Sequence, residues 1–245
     1  MNGKLQGKGA PDGVAAVDRA FVIIGALAED PEPSTLADLA RRTGFYKSTI
    51  LRLLSSVEAA GYVTRLRDGR YGLGPTAFRL GLAYERQNPL RLHVVPVLSD
   101  LVERGTESAS FHVPHGLVTR LCLFRVNSHH STLDRVEAGD ILPLERGAAG
   151  RVLMAFSADG TPEHEPLRRA GYALSRGERD PNCAGLAAPV FGAGGGLAGA
   201  LSLSGPGERF TDEAVASMRK LLLEAASSLS RSLGAGRPAF DRAAR

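Results

Sequence analysis

Seven basic side chains crowd the stretch from Thr35 to Leu73: Arg41, Arg42, Lys47, Arg52, Arg65, Arg67 and Arg70. Only Asp38, Glu58 and Asp68 oppose them. The types and spacing suit nucleic-acid contact. Lysine and arginine pair with phosphates, and arginine and short hydroxyl side chains read base edges in the major groove. Lys47, Ser48, Thr49 and Arg52 share one predicted helix, with Lys47 expected on phosphate and Ser48, Thr49 and Arg52 on bases. Arg65, Arg67 and Arg70 surround Asp68-Gly69 and are expected to touch phosphates or reach the minor groove.

The elements that must hold these groups are legible. Thr35 and Asp38 form a T-x-x-D helix start, and Gly44 stops that helix. Ile50, Leu53, Leu54 and Val57 follow at i, i+3, i+4, i+7 and so share one face. The opposite face carries Ser48, Arg52 and Ser55, flanked by Thr49 and Ser56. Gly61 ends this second helix, and Asp68-Gly69 predicts a type I′ hairpin turn. Helix, turn, helix and hairpin make a winged helix-turn-helix, which sets one helix in the DNA major groove. A helical hairpin with a solvated basic face is the structural alternative.

The 245 residues suffice for two ordinary domains, and 43% hydrophobic residues can supply a core. The net charge of +4 is unevenly placed: residues 1–89 carry 12 Lys and Arg against 9 Asp and Glu. Two cysteines make no disulfide framework, which with the absence of a membrane-length apolar run or a signal peptide indicates a cytoplasmic protein. The expected organisation is a disordered arm at 1–13, the DNA-binding domain at 14–74, a linker helix at 75–89, a second domain at 90–233 and a disordered tail at 234–245. In the first helix Val17, Ala20, Phe21, Ile24, Leu27 and Ala28 form an apolar stripe. From Glu107 onward strands are expected at Ser108–Val113, Leu117–Val126, Gly185–Phe191 and Leu197–Ser204, with helices at Ala149–Phe156, Pro162–Arg169 and from Thr211 to about Leu233. Pro96 either kinks a helix running from Leu90 to Arg104 or marks its late start. Strands with segregated helices argue for an α+β domain on an antiparallel sheet.

Several segments together resemble the isocitrate-lyase-regulator (IclR) family of bacterial transcription regulators. They are AVDRAFVIIGALAED, LADLARRTGFYKSTILRLLSSVEAAGYV, YGLGPTAFRLG, LPLERGAAGRVLMA and GLAAPVFGAGGGLAGALSLSGPGERFT, in that order. The resemblance implies a GAF-like effector-binding domain after the winged helix, no catalysis, a homodimer or homotetramer, and a palindromic double-stranded operator. It also implies control by a small organic acid. The family's pocket falls here on Ala148, Ala149 and Gly150 and on Ser202 and Ser204; His112 and Leu133 are weaker candidates, and for His112 the core is preferred over the pocket. Alternation puts the two serines on one face of a strand, and N–H groups near Gly150, at a helix start, would add an anion site. This donor set is neutral and suits a carboxylate without a buried arginine. The chain departs from the family at Ser175, which stands at an aspartate position, and at Gly185, which stands at a cysteine position. Glu178 keeps the family's glutamate, while Cys183 has drifted. The stretch from Ala155 to Tyr172 is shorter than usual, so a more open pocket and a larger acid, an aromatic one included, are expected.

Other constellations read plainly. Ser202 and Ser204 alone could be solvent-facing strand residues. Gly192–Gly196 lacks the lysine and the helix start of a phosphate loop and reads as a hairpin turn. His129-His130 has no metal-ligand spacing, and Cys122 between leucines reads as a core residue. No cofactor is implied. A ligand-independent DNA-binding protein and an enzyme with an accessory DNA-binding domain are the alternatives. Phe21, Ile24, Phe78 and Leu82 are each core or interface, with core preferred.

Overall fold

The computed structural model describes residues 13–158 and 161–236. Most of the expected arm and tail lies outside the described residues. The chain divides into two compact units between Asn88 and Pro89.

The first unit contains α1 (Ala15–Ala28), α2 (Leu36–Thr43), α3 (Lys47–Ala59), β1 (Val63–Arg65), β2 (Tyr71–Leu73) and α4 (Pro75–Gln87). The start of α2 is a complete capping box. Thr35 Oγ1 accepts from Asp38 N–H at 3.2 Å, and Asp38 Oδ2 accepts from Thr35 N–H at 3.3 Å. The core joins Ile23 of α1, Leu39 of α2, Ile50 and Leu54 of α3, and Tyr71 of β2. Ser34 bridges to Tyr71, so the wing is fastened to the segment before α2.

Two sequence expectations change here. The hairpin turn is not type I′, because Asp68 does not take a positive φ and Gly69 alone does, at +86°. Gly69 N–H donates to Leu66 C=O and Leu66 N–H to Arg70 C=O. That is a type I turn closed by a left-handed glycine, the three-residue alternative for a hairpin. The stripe on α1 is also turned. Ile23, Ala26 and Leu27 are buried, while Phe21 is 63% exposed. Phe78, at 72% exposed, and Leu82, at 40%, face outward as well, and α4 buries no residue at all. Core was therefore the wrong preference for these three.

The second unit contains α5 (Leu90–Glu103), β3 (Ser108–His115), β4 (Thr119–Val126), β5 (Ile141–Pro143), α6 (Ala148–Phe156), α7 (Glu165–Ala170), β6 (Ala173–Arg176), β7 (Cys183–Phe191), β8 (Leu197–Pro206) and α8 (Asp212–Ser232). Pro96 lies inside α5, so the helix neither starts late nor stops there. The strands β5-β4-β3-β8-β7-β6 form one antiparallel sheet. One face is covered by α5 and α8 over Phe111, Leu186, Leu201 and Leu203. On the other face α6 packs on Ala173, Ala187 and Ala200, whose small side chains let it approach closely. The rest of that second face is polar.

Candidate functional sites

In the first unit the outward face of α3 presents Lys47, Ser48 and Arg52 to solvent, with Thr49 partly covered. Leu53, Leu54 and Val57 anchor the opposite face in the core. Tyr46, which sequence reasoning passed over, occupies the N-cap position of α3 without a side-chain capping bond and is 85% exposed. The wing arginines differ among themselves. Arg65 lies over the Tyr71 ring, 5.7 Å from its centroid. Arg70 Nε donates to Asp68 Oδ2 at 2.7 Å, and the Arg70 backbone N–H, then this pairing, hold the Asp68 carboxyl below its usual range. Arg67 is exposed with no ion pair among the described residues.

In the second unit the polar sheet face is built in rows. Ser175, Gly185, Ser204 and Ser108 lie side by side across β6, β7, β8 and β3. The next row runs Ala187, Ser202, Ser110 and Arg125 across β7, β8, β3 and β4. A bulge between Phe111 and His112 then brings His112 opposite Cys122. A cavity of about 40 Å3 opens on these rows, and Ala148, Ala149, His112, Ser202 and Ser204 all line it. Five of the seven expected residues are thus brought together. Gly150 and Leu133 are not part of the lining. A Cβ on Gly150 would lie 2.0 Å from Leu144 O, so this glycine is there for close approach of backbone. Leu133 sits at the surface.

Three sequence expectations meet contrary geometry. First, the room on these rows is small, about 40 Å3, where space for a larger acid was expected. Second, the N–H groups at the start of α6 are partly taken. Glu178 accepts from Gly147 N–H at 2.9 Å and Ser175 Oγ from Ala148 N–H at 3.0 Å. The serine at the family's aspartate position therefore caps this helix, and Glu178 itself supplies a carboxylate to the N-terminal end. Third, the donor set is not neutral. Arg120 and Arg179 line the cavity together with Asp134, Glu178 and Asp180, and Arg125 lies beside it on the row of Ser202.

The charges are organised. The Asp134 side chain is fully buried and accepts from Arg125 Nη2 and, at 3.3 Å, from Arg179 Nη2. Arg125 Nη1 reaches Ser204 Oγ at 3.4 Å. Arg120 is 3% exposed, and its Nη1 donates to the carbonyls of Pro143 and Arg146. It has no carboxylate partner among the described residues. Burial pushes its pKa down to about 10. Burial, then Arg120, Arg125 and Arg179, hold the His112 imidazole down at about 3, so it is neutral at physiological pH. Its Nε2 meets Ser110 Oγ at 3.0 Å while its Nδ1 has no partner. Burial likewise pushes the Cys122 thiol up to about 12, so it stays protonated. His129 and His130 turn instead to Glu103 and Glu107, at 3.2 and 3.6 Å.

Known proteins match along both units. The model of the IclR helix-turn-helix domain covers residues 16–67, and that of the bacterial transcriptional regulator IclR C-terminal domain covers residues 161–231. The HTH-type transcriptional regulator BhcR of Paracoccus denitrificans is 29% identical over 98% of this chain and 96% of its own. An IclR transcriptional regulator from Alicyclobacillus acidocaldarius shares the fold with a TM-score of 0.75, at 24% identity, over 91% of this chain and 100% of that one. A Microbacterium hydrocarbonoxydans IclR homolog, solved as a complex with 4-hydroxybenzoate, does so with a TM-score of 0.69 at 21% identity, covering 89% and 100%.

Proposed function

We propose, for a chain that belongs to the IclR family of bacterial transcriptional regulators, that a small carboxylic acid bound in its second unit controls its affinity for DNA. The chain is a DNA-binding transcriptional regulator, as the matched helix-turn-helix domain and its regulator relatives establish. The observation that carries ligand control is the small cavity where Ser202, Ser204 and His112 converge on the start of α6. The Microbacterium homolog's complex with 4-hydroxybenzoate supports an acid as the ligand class. The cavity volume here favours a shorter one.

On the DNA side, Ser48, Thr49 and Arg52 read bases in the major groove, Lys47 holds a phosphate, and Arg65, Arg67 and Arg70 contact the flanking backbone. Tyr46, exposed beside Lys47, joins this surface. The exposed apolar residues Phe21, Phe78 and Leu82 support assembly into a two-fold dimer on a palindromic operator. The test is fluorescence anisotropy on a duplex selected from a random pool, with and without acids of two to four carbons. Ligand control requires that one acid shift the affinity about 5- to 150-fold, the usual range of such couplings. A Ser202→Ala/Ser204→Ala variant should bind DNA but lose the shift. DNA binding that no acid alters would favour the ligand-independent reading.

A further inference from the structure

Arg120 offers something none of its neighbours does. Arg125 and Arg179 are already paired with Asp134, and Arg151 with Glu178 at 3.1 Å. Arg120 spends only Nη1, on two backbone carbonyls. Its Nε is buried without a partner, and its Nη2 makes no hydrogen bond among the described residues. Nε and Nη2 form the side edge of a guanidinium, whose two parallel N–H groups match the two oxygens of a carboxylate. Elsewhere in this unit the same edge is in use: Arg209 clasps Glu107 through Nε at 2.6 Å and Nη2 at 2.8 Å. A buried guanidinium without a counter-charge is costly to the fold and is retained only where something else repays it. His112 lines the same cavity and likewise keeps one ring nitrogen, Nδ1, without a partner.

Resting on the reading that an acid occupies this cavity, we propose that Arg120 takes its carboxylate through the Nε/Nη2 edge. The serines then serve the opposite end. Ser202 and Ser204 bind a second oxygen on the ligand, and His112 Nδ1 supplies one further hydrogen bond. This reverses the orientation in which the serine pair holds the carboxylate. It also defines the ligand class: a short acid with one carboxylate and a second oxygen function, such as a 2-hydroxy or 2-oxo acid. Its charge is the counter-ion that Arg120 lacks. The neutral amide of the same acid, isosteric with it, cannot supply that charge.

Calorimetry on the full chain, with glycolate, lactate and pyruvate against glycolamide, lactamide and pyruvamide, reads this directly. The expected result is that an acid binds, its amide binds at least about 10-fold more weakly, and Arg120→Gln loses about 10- to 100-fold for the acid. Arg120→Gln should also lose most of the preference for acid over amide. An acid that binds wild type and Arg120→Gln equally, or an amide that binds as well as its acid, overturns the Arg120 assignment and leaves ligand control standing. If none of the acids binds wild type, both readings fall. Because Arg120 also ties down Pro143 and Arg146, the glutamine variant could misfold. The Nε–H resonance of Arg120 in 15N-labelled wild type answers without it. A large shift on addition of the bound acid supports the pairing, and an unmoved resonance refutes it.

Discussion

Replacing Asp134 with asparagine should unfold the second unit far more readily than an ordinary polar exchange. The side chain is fully buried and carries the negative charge between Arg125, whose side chain is 4% exposed, and Arg179, at 24%. Asparagine keeps the shape and one acceptor but removes the charge. Arg179 can swing toward water. Arg125 cannot, since its Nε is held by Asn127 Oδ1 at 2.6 Å and its Nη1 by Ser204. One buried guanidinium is then left uncompensated, which costs about 3–5 kcal/mol. For a unit of this size that lowers the melting temperature by roughly 6–20 °C. Differential scanning calorimetry is the assay, because it resolves the two units' transitions separately. The companion variant, Arg125→Met/Asp134→Leu, removes both charges and should recover most of the loss. An Asp134→Asn protein within about 1 kcal/mol of wild type, or a double variant no better than the single one, would refute the claim that the pair holds this face together.

Four further outcomes follow from named residues. Gly150→Ala forces its Cβ against Leu144 O, at 2.0 Å, and Arg120 Nη1, at 2.8 Å, and should destabilise by about 1–3 kcal/mol in urea denaturation; a neutral result would mean that α6 is free to shift. His112 makes stability fall with acid. Between its ordinary pKa near 6.5 and its folded value of about 3 the unfolded chain holds one more proton than the folded one, so stability rises with pH across that window by up to about 1.4 kcal/mol per unit. Urea melts at pH 7 and pH 5 should differ more in wild type than in His112→Gln, and an equal difference would show that the imidazole is not shielded. On the alkaline side Cys122 acts oppositely, with stability falling above pH 9 as the unfolded thiol ionises. An Arg65→Ala/Arg67→Ala/Arg70→Ala protein should lose roughly 0.9 from the salt slope of DNA binding for each phosphate contact removed, and an unchanged slope would take the wing off the DNA.

The first unit was readable because its signals are local. The capping box at Thr35 and Asp38, the glycines after α2 and α3, and the four-residue spacing of the α3 core each lie within one turn of what they control. What failed there depended on partners or on a single dihedral. An apolar stripe read from sequence does not say which of its residues the fold leaves exposed, so Phe21 and Phe78 were misassigned. The D-G pair marked the wing turn but not its type, since Asp68 keeps a negative φ. In the second unit the short edge strands β5 and β6 were missed because three or four residues show no usable alternation. The serine face of β8 was legible, whereas the charged half of the site was not. Arg120 and Arg125 look like ordinary strand charges until Asp134, Pro143 and Arg146 fold back over them from later in the chain. Two arginines flanking the apolar run of β4 were the one sequence signal that could have pointed to them.

The central claim, that acid bound in the second unit governs DNA binding by the first, comes down to one titration. Anisotropy of a labelled operator duplex is followed while a cavity-sized acid is added to wild type and to Ser202→Ala/Ser204→Ala. The expected result is an acid-dependent change of at least about 5-fold in DNA affinity for wild type and none for the variant, with both proteins equally tight on DNA without acid. An acid that shifts both proteins alike, or operator affinity that no short acid moves, contradicts it.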